Sequence, residues 1–134
     1  MTPPKSKAIR LGELQLRIMK ILWKLEEATV SEVHERLDQK SRLAYTTVAT
    51  MLRKMERRGL VAHRSEERRF IYRAVVDADE VTRSMAGDVL ERLFEGRLSD
   101  MVSHLLSTRK VSQEELRRLE KLIREKKRPK GPAE

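Results

Sequence analysis

The residues best suited to binding chemistry are three threonines and two basic residues on one side of the segment 45–58. Val48, Leu52 and Met55 recur at helical spacing in this segment and predict its buried face. The opposite face then carries hydroxyl groups near the helix start and cations further along. Hydroxyls can bond phosphate oxygens or base edges, and cations neutralise phosphates. This pattern is typical of a helix that contacts nucleic acid, here through Thr46, Thr47, Thr50, Arg53 and Lys54.

Further cations flank this helix in the sequence. Residues 60–64 and 69–73 are rich in β-branched and aromatic side chains, and a polar tip at residues 65–68 separates them. Such a pair of segments predicts a β-hairpin. We expect the hairpin and the helix start to present cations toward one side of the molecule, and these additional candidates for DNA binding are Arg42, Arg64, Arg68 and Arg69.

The preceding segments predict two more helices. Apolar residues recur at helical spacing from residue 11 to about residue 26. Thr29 and Glu32 form the capping-box pattern that opens a second helix, which a polar break at residues 38–42 is expected to end. Gly59 stands where a glycine usually closes a helix. Three helices followed by a basic hairpin predict a winged helix-turn-helix, whose third helix enters the major groove.

The second half of the chain predicts three more helices, in a fold that is mainly α with a small β-hairpin. Hydrophobic residues make up 39% of the chain and aromatic residues only 4%, so the core is thin for 134 residues. Leucine-rich helices of this kind often complete their burial on a partner subunit. We therefore expect a dimer interface at Val81, Met85, Leu93, Leu116, Leu119 and Ile123.

Charge divides the chain in the same way. Residues 1–76 carry 17 Lys and Arg against 9 Asp and Glu, whereas residues 77–134 carry 13 against 12. A basic half joined to a nearly neutral half indicates a polyanion-binding module and a second module with another partner. The domains expected are a flexible arm at 1–10, a winged-helix DNA-binding domain at 11–76, a helical dimerisation domain at 77–124 and a disordered basic tail at 125–134.

Composition argues against several other functions. The chain has no cysteine, and its three histidines, His34, His63 and His104, lack the close spacing of metal ligands. The five glycines are scattered and form no phosphate-binding loop. We therefore expect no metal, no cofactor and no catalytic residues. No apolar run approaches the roughly 20 residues that span a bilayer, so we expect a cytoplasmic protein that does not insert into membranes.

Residues 43–61, LAYTTVATMLRKMERRGLV, resemble the recognition-helix signature of the BlaI/MecI family of penicillinase and methicillin-resistance repressors. Residues 14–23 resemble the first helix of that family, and residues 70–72 its second wing strand. The resemblance covers residues 11–76 well and continues more loosely to about residue 124. It implies a homodimeric transcriptional repressor that binds a palindromic operator, whose targets in the family include β-lactam-response genes.

The resemblance also implies an induction mechanism. In the family, a membrane sensor detects β-lactam, and the repressor is then cut in its C-terminal domain. Alignment on Gly96 places the Asn–Phe cleavage pair of the family at His104 and Leu105, so neither residue type is kept. The pair also lies within the fifth predicted helix, with Leu105 expected to face the protein core, so cutting there would require local opening. We therefore expect no cleavage at this position.

Three functions remain open from the residues alone. The chain could be a sequence-specific repressor, a nonspecific or architectural nucleic-acid-binding protein, or a winged helix that binds another protein. The basic hairpin and the charge asymmetry argue against the protein-binding module. The expected dimer argues against the nonspecific binder, because a fixed spacing between two half-sites is useful mainly for reading a defined sequence.

Overall fold

The computed structural model describes residues 9–129, with all side chains in that range except those of residues 38–41. Six helices and three strands follow one another in this part of the chain, and they form two compact units that divide between residues 89 and 90. The elements are α1 (Glu13–Leu25), β1 (Ala28–Thr29), α2 (Val30–Ser41), α3 (Tyr45–Arg57), β2 (Val61–Glu66), β3 (Arg69–Ala74), α4 (Ala78–Phe94), α5 (Leu98–Thr108) and α6 (Gln113–Lys127).

The core of the first unit is built from the apolar faces of α1, α2 and α3. Ile18 and Leu22 contribute from α1, Val33 from α2, and Val48 and Leu52 from α3. The buried face of α3 is the one that its helical spacing predicts. Its threonines therefore lie on the solvent side.

The capping box that the sequence predicts at the start of α2 is present. The Thr29 hydroxyl accepts from the Glu32 amide at 3.1 Å, and the Glu32 carboxylate accepts from the Thr29 amide at 2.8 Å. These bonds satisfy amide groups that a helix start otherwise leaves unpaired. They fix the point where the chain turns from β1 into α2.

A three-stranded antiparallel sheet covers the side of this core, in the order β1-β3-β2. The β2–β3 pairing continues to Glu66 and Arg69, so only Glu67 and Arg68 form the turn, with φ of 51° and 67°. Two positive φ angles give a turn whose twist matches that of the strands. The turn is therefore shorter than the four-residue tip expected at 65–68. The two-residue strand β1 was not predicted, because it is too short to show alternation.

Two helix ends differ from the sequence-based expectation. The expected polar break at residues 38–42 is wrong, because α2 continues through Ser41 and ends at Arg42, where φ is 50°. Polarity alone does not end a helix, whereas a left-handed residue does. The disordered tail was expected to begin at residue 125, which is too early, because α6 continues to Lys127. Cations in the last turn of a helix favourably oppose its dipole. Residues 130–134 lie outside the described residues.

The start of the chain is also more ordered than expected where it is described. Residues 1–8 of the expected flexible arm lie outside the described residues. The Ile9 amide donates to the Ser84 hydroxyl at 2.8 Å, and the Arg10 carbonyl accepts from the Arg58 guanidinium at 2.7 Å. These bonds hold residues 9 and 10 against the first unit.

The first unit extends past the expected domain boundary at residue 76. The Trp23 indole N–H donates to the Val76 carbonyl at 3.0 Å and fixes the chain just before α4. Val81, in the first turns of α4, is only 1% exposed. Residues 77–89 thus add buried apolar surface to the winged helix.

The second unit contains the end of α4 together with α5 and α6. Gly96, with φ of 80°, ends α4 by donating its amide to the Leu90 carbonyl at 3.0 Å. The Ser112 hydroxyl caps α6 by accepting from the Glu115 amide at 3.0 Å. None of the residues described in this unit is buried. Among the described residues, no helix has both the length and the apolar character needed to cross a bilayer.

The burial of Val81 generates a stability prediction. Val81→Ala in the full chain should lower the free energy of unfolding by roughly 2 kcal/mol, because it deletes buried methyl groups and leaves a cavity. Val75→Ala is the matched control, since Val75 is exposed, and it should change stability by less than about 0.5 kcal/mol. Urea denaturation measures both values. Equal effects would show that α4 does not pack onto the first unit as described.

Candidate nucleic-acid interface

The exposed face of α3 carries the predicted hydroxyl groups and cations. Thr46, Thr47, Thr50, Arg53 and Lys54 are all exposed on it. The Arg53 guanidinium lies 3.5 Å from the Thr50 hydroxyl, so these two side chains lie side by side. Hydroxyl groups in the first two turns and cations in the later turns suit a helix that enters the major groove start first.

A cleft of about 290 Å³ lies between α3, the start of α2 and the hairpin of β2 and β3, which we call the wing. Arg53 lines it from α3, and Arg68 and Arg69 line it from the wing. Ser31 and Tyr45 belong to the same lining. Arginines from two elements thus line one cleft, which favours a polyanion such as the DNA backbone.

Contacts between β2 and α3 fix the position of the wing. His63 Nδ1 lies 2.7 Å from Glu56 Oε1, which joins the wing to the end of α3. The His63 ring also stacks on Phe70, with ring centroids 4.1 Å apart, and lies 5.4 Å from the ring of Tyr72. Burial raises the pKa of Tyr72, and the Glu56 carboxylate adds to that effect. The wing is therefore bound to the helix that it flanks.

Arg64 occupies a different environment from the other wing arginines. Its Nη2 donates to Glu27 Oε1 and its Nη1 to Glu66 Oε1, both at 2.9 Å. The hydrogen bond from Arg64 lowers the pKa of the Glu27 carboxyl below its usual value. The same bonds raise the pKa of Arg64. The structure therefore brings together Arg53, Arg68 and Arg69, and holds Arg64 in a separate ion cluster.

The turn between α2 and α3 is held by residues that the sequence reasoning missed. His34 Nε2 lies 2.6 Å from the Leu43 carbonyl oxygen, and the His34 ring meets that of Tyr45 edge-on at 6.0 Å. These contacts set the angle at which α3 leaves the turn. Arg42, predicted to bind DNA, is exposed in this turn. The helical spacing of Val48, Leu52 and Met55 already indicates that Tyr45 lies off the buried face of α3, where the structure shows it to be exposed.

The predicted interface residues of the C-terminal half differ in exposure. Leu93 is 70% exposed and Ile123 is exposed, while Met85, Leu116 and Leu119 are half-buried. The prediction that Val81 lies in the dimer interface is corrected here, because its side chain is buried within the chain and cannot contact a partner.

The pair His104–Leu105, predicted to match the family cleavage position, lies inside α5. The Ser107 and Thr108 hydroxyls donate to the His104 carbonyl at 3.1 and 2.8 Å. The expectation that Leu105 faces a core is wrong, because its side chain is exposed in a unit whose described residues form no closed core. The absence of cleavage here stays a prediction.

The three helices, the sheet and the basic α3 face define a winged-helix DNA-binding protein. The family described as penicillinase repressor matches residues 11–125. The chain therefore belongs to this family, whose members are transcriptional repressors of the BlaI/MecI type rather than enzymes. The match includes α4, α5 and most of α6, so it is not confined to the winged helix.

The matches to individual relatives differ in extent. The chain is 28% identical over 118 residues to the penicillinase repressor of Bacillus licheniformis, covering 88% of this chain and 92% of that protein. It is 37% identical over 86 residues to the transcriptional regulator BlaI of Mycobacterium tuberculosis, covering 63% of this chain and 62% of that protein. The solution structure of monomeric Bacillus licheniformis BlaI in complex with the blaP half-operator has 28% identity and a TM-score of 0.48, covering 55% of this chain and 90% of that one.

The arrangement of the wing arginines predicts how binding depends on salt. Replacing both Arg68 and Arg69 with alanine should reduce the slope of log affinity against log salt by about 1.8, because each lost phosphate contact removes about 0.9. The preferred DNA sequence should not change. Fluorescence anisotropy at several salt concentrations measures the slope.

The control for this prediction is the double change Arg117→Ala and Arg118→Ala, an exposed arginine pair on α6. It removes the same charge at a distance in sequence from the wing and should leave the slope nearly unchanged. A changed sequence preference with an unchanged slope after removal of Arg68 and Arg69 would contradict the assignment of the wing.

Proposed function

We propose that the chain is a sequence-specific repressor that binds as a homodimer to a palindromic operator, with one α3 helix in the major groove of each half-site. The observation that carries the proposal is the exposed, threonine-rich face of α3 beside the cleft that gathers Arg53, Arg68 and Arg69. Membership in a repressor family supports it.

In this proposal, residues at the start of α3 contact the DNA bases. Thr47 and Thr50 are exposed there, and Ala49 between them is small. A threonine can bond a base edge through its hydroxyl and contact a thymine methyl through its own methyl group. Short side chains also let the helix axis approach the groove floor. These residues are therefore proposed to set the operator sequence.

In this proposal, the cleft between α3 and the wing binds the DNA backbone. Arg53, Arg68 and Arg69 are suited to phosphate oxygens, because a guanidinium can form paired hydrogen bonds with them. Such contacts fix the register of α3 on the duplex without reading its sequence. The proposed interface thus divides into a reading helix and an anchoring cleft.

The homodimer is supported by the apolar surface of the C-terminal helices. Leu93, Leu98, Leu122 and Ile123 are among the large exposed hydrophobic residues of the chain. Leaving that much apolar surface in water is unfavourable, and such patches usually mark an interface. A twofold contact between two copies would cover the same patch on each. We propose Met85, Leu93, Leu116, Leu119 and Ile123 as this interface.

The nonspecific or architectural DNA binder remains the alternative. It would use the same cations but would not need the threonines of α3. The two functions therefore differ in what the loss of a threonine hydroxyl does to sequence preference.

Replacing Thr50 with alanine tests that difference. If Thr50 contacts a base, affinity for the preferred sequence should fall by roughly 1–3 kcal/mol, while affinity for random DNA stays nearly constant. Thr82→Ala, at an exposed position of α4, is the control and should change neither. Competitive binding assays with both DNAs give the two values. An equal loss on both DNAs would favour the nonspecific alternative.

A charged residue at Leu93 tests the dimer. The wild-type protein should sediment as a dimer at micromolar concentration, whereas Leu93→Glu should sediment as a monomer, because a buried, unpaired carboxylate opposes association. Val75→Glu, at an exposed position of the first unit, should remain a dimer. Sedimentation velocity provides the measurement. A monomeric wild-type protein at this concentration would rule out the proposed assembly.

A further inference from the structure

The ion cluster of Arg64 extends across the whole sheet. Arg64 on β2 pairs with Ile71 on β3, which pairs in turn with Thr29 on β1. Directly paired residues lie on the same face of a sheet, and the carboxylate of Glu27, just before β1, meets Arg64 on that face. The Arg64 side chain therefore crosses β3 to reach Glu27, on the face opposite the buried Tyr72. We call this face the outer face.

The carboxylates of this cluster offset the positive charge of Arg64. Arg64 bonds Glu27 through two guanidinium nitrogens, at 2.9 and 3.4 Å, and Glu66 through a third, at 2.9 Å. Two carboxylates thus surround one guanidinium, and the cation of Arg73 also lowers the pKa of Glu27. Each of these three hydrogen bonds from Arg64 ends on a carboxylate oxygen. Arg68 and Arg69, by contrast, line the cleft beside α3.

We propose that Glu27 and Glu66 limit the affinity of the protein for DNA, by holding the Arg64 guanidinium on the outer face, where it neutralises no phosphate. The inference rests on the proposed function only in placing the wing against DNA. Phosphate contacts supply most of the nonspecific affinity of a DNA-binding protein. Removing one such contact lowers the affinity for random DNA. The contacts of α3 then account for a larger share of the discrimination between the preferred sequence and random DNA.

The cluster can be rearranged because it is accessible to solvent. The side chains of Arg64, Glu27 and Glu66 are 52%, 45% and 52% exposed. Ion pairs this exposed contribute little to folding. A DNA phosphate can therefore compete for the guanidinium once the carboxylates are neutral. A purely structural clamp makes the opposite prediction, because its loss would loosen the wing and weaken binding.

The test is the double variant Glu27→Gln, Glu66→Gln of the full chain, titrated with random-sequence duplex DNA between 50 and 200 mM salt. Release of Arg64 should increase the magnitude of the salt slope by about 0.9, so the ratio of affinities at the two salt concentrations grows about 3.5-fold. In a chain that also carries Arg64→Ala, the same two changes should leave the slope unaltered.

Glu67→Gln is the matched control, since it removes a wing carboxylate that is not among the partners of Arg64 in the cluster. Its effect should be the same with and without Arg64. Circular dichroism melting should show that every variant stays folded. A slope that is unchanged or smaller in the double variant would overturn the proposal in favour of a structural clamp. A slope increase that persists without Arg64 would overturn it in favour of a general charge effect.

These outcomes are separate from those of the proposed function. The slope is measured on random DNA, so it remains readable if the wild-type protein shows no preferred sequence. Lack of a preferred sequence would contradict the operator-binding function and leave the role of Glu27 and Glu66 intact.

Discussion

The burial of one face of α3 is the constraint on which the rest of the interface depends. Val48, Leu52 and Met55 are fully buried in the core that α3 shares with α1 and α2. A helix anchored along one stripe cannot rotate about its axis without exposing that stripe. The position of Thr47 and Thr50 on the opposite side follows from this packing. The role in recognition that we propose for them therefore depends on residues that are buried in the core.

The wing depends on a second set of fixed contacts. The Glu56–His63 pair joins β2 to α3, and the ring stack of His63 on Phe70 joins β2 to β3, while β1 holds the other edge of β3. Arg68, in the two-residue turn, and Arg69, at the start of β3, gain their position from this support. The arginines of the wing are therefore not equivalent: position in the strand register separates Arg64 from the two at the turn.

Periodicity and local motifs predicted most of the fold. The apolar spacing of α3 and the capping box of Thr29 with Glu32 are both local patterns, and both are present. What the sequence could not show depends on contacts between distant residues. Arg64 meets Glu27 across 37 positions, and Ile9 meets Ser84 across 75. Val81 has the same helical pattern as its exposed neighbours, so only the packing of α4 reveals that it is buried.

The proposed function requires that two linked winged helices read a twofold-symmetric site. The most direct measurement is to select duplexes from a random library with the full-length protein and to sequence the bound fraction. A homodimer of winged helices should select an inverted repeat whose half-sites lie one helical turn, or a multiple of it, apart. Enrichment of a single asymmetric half-site, or of no sequence at all, would contradict it.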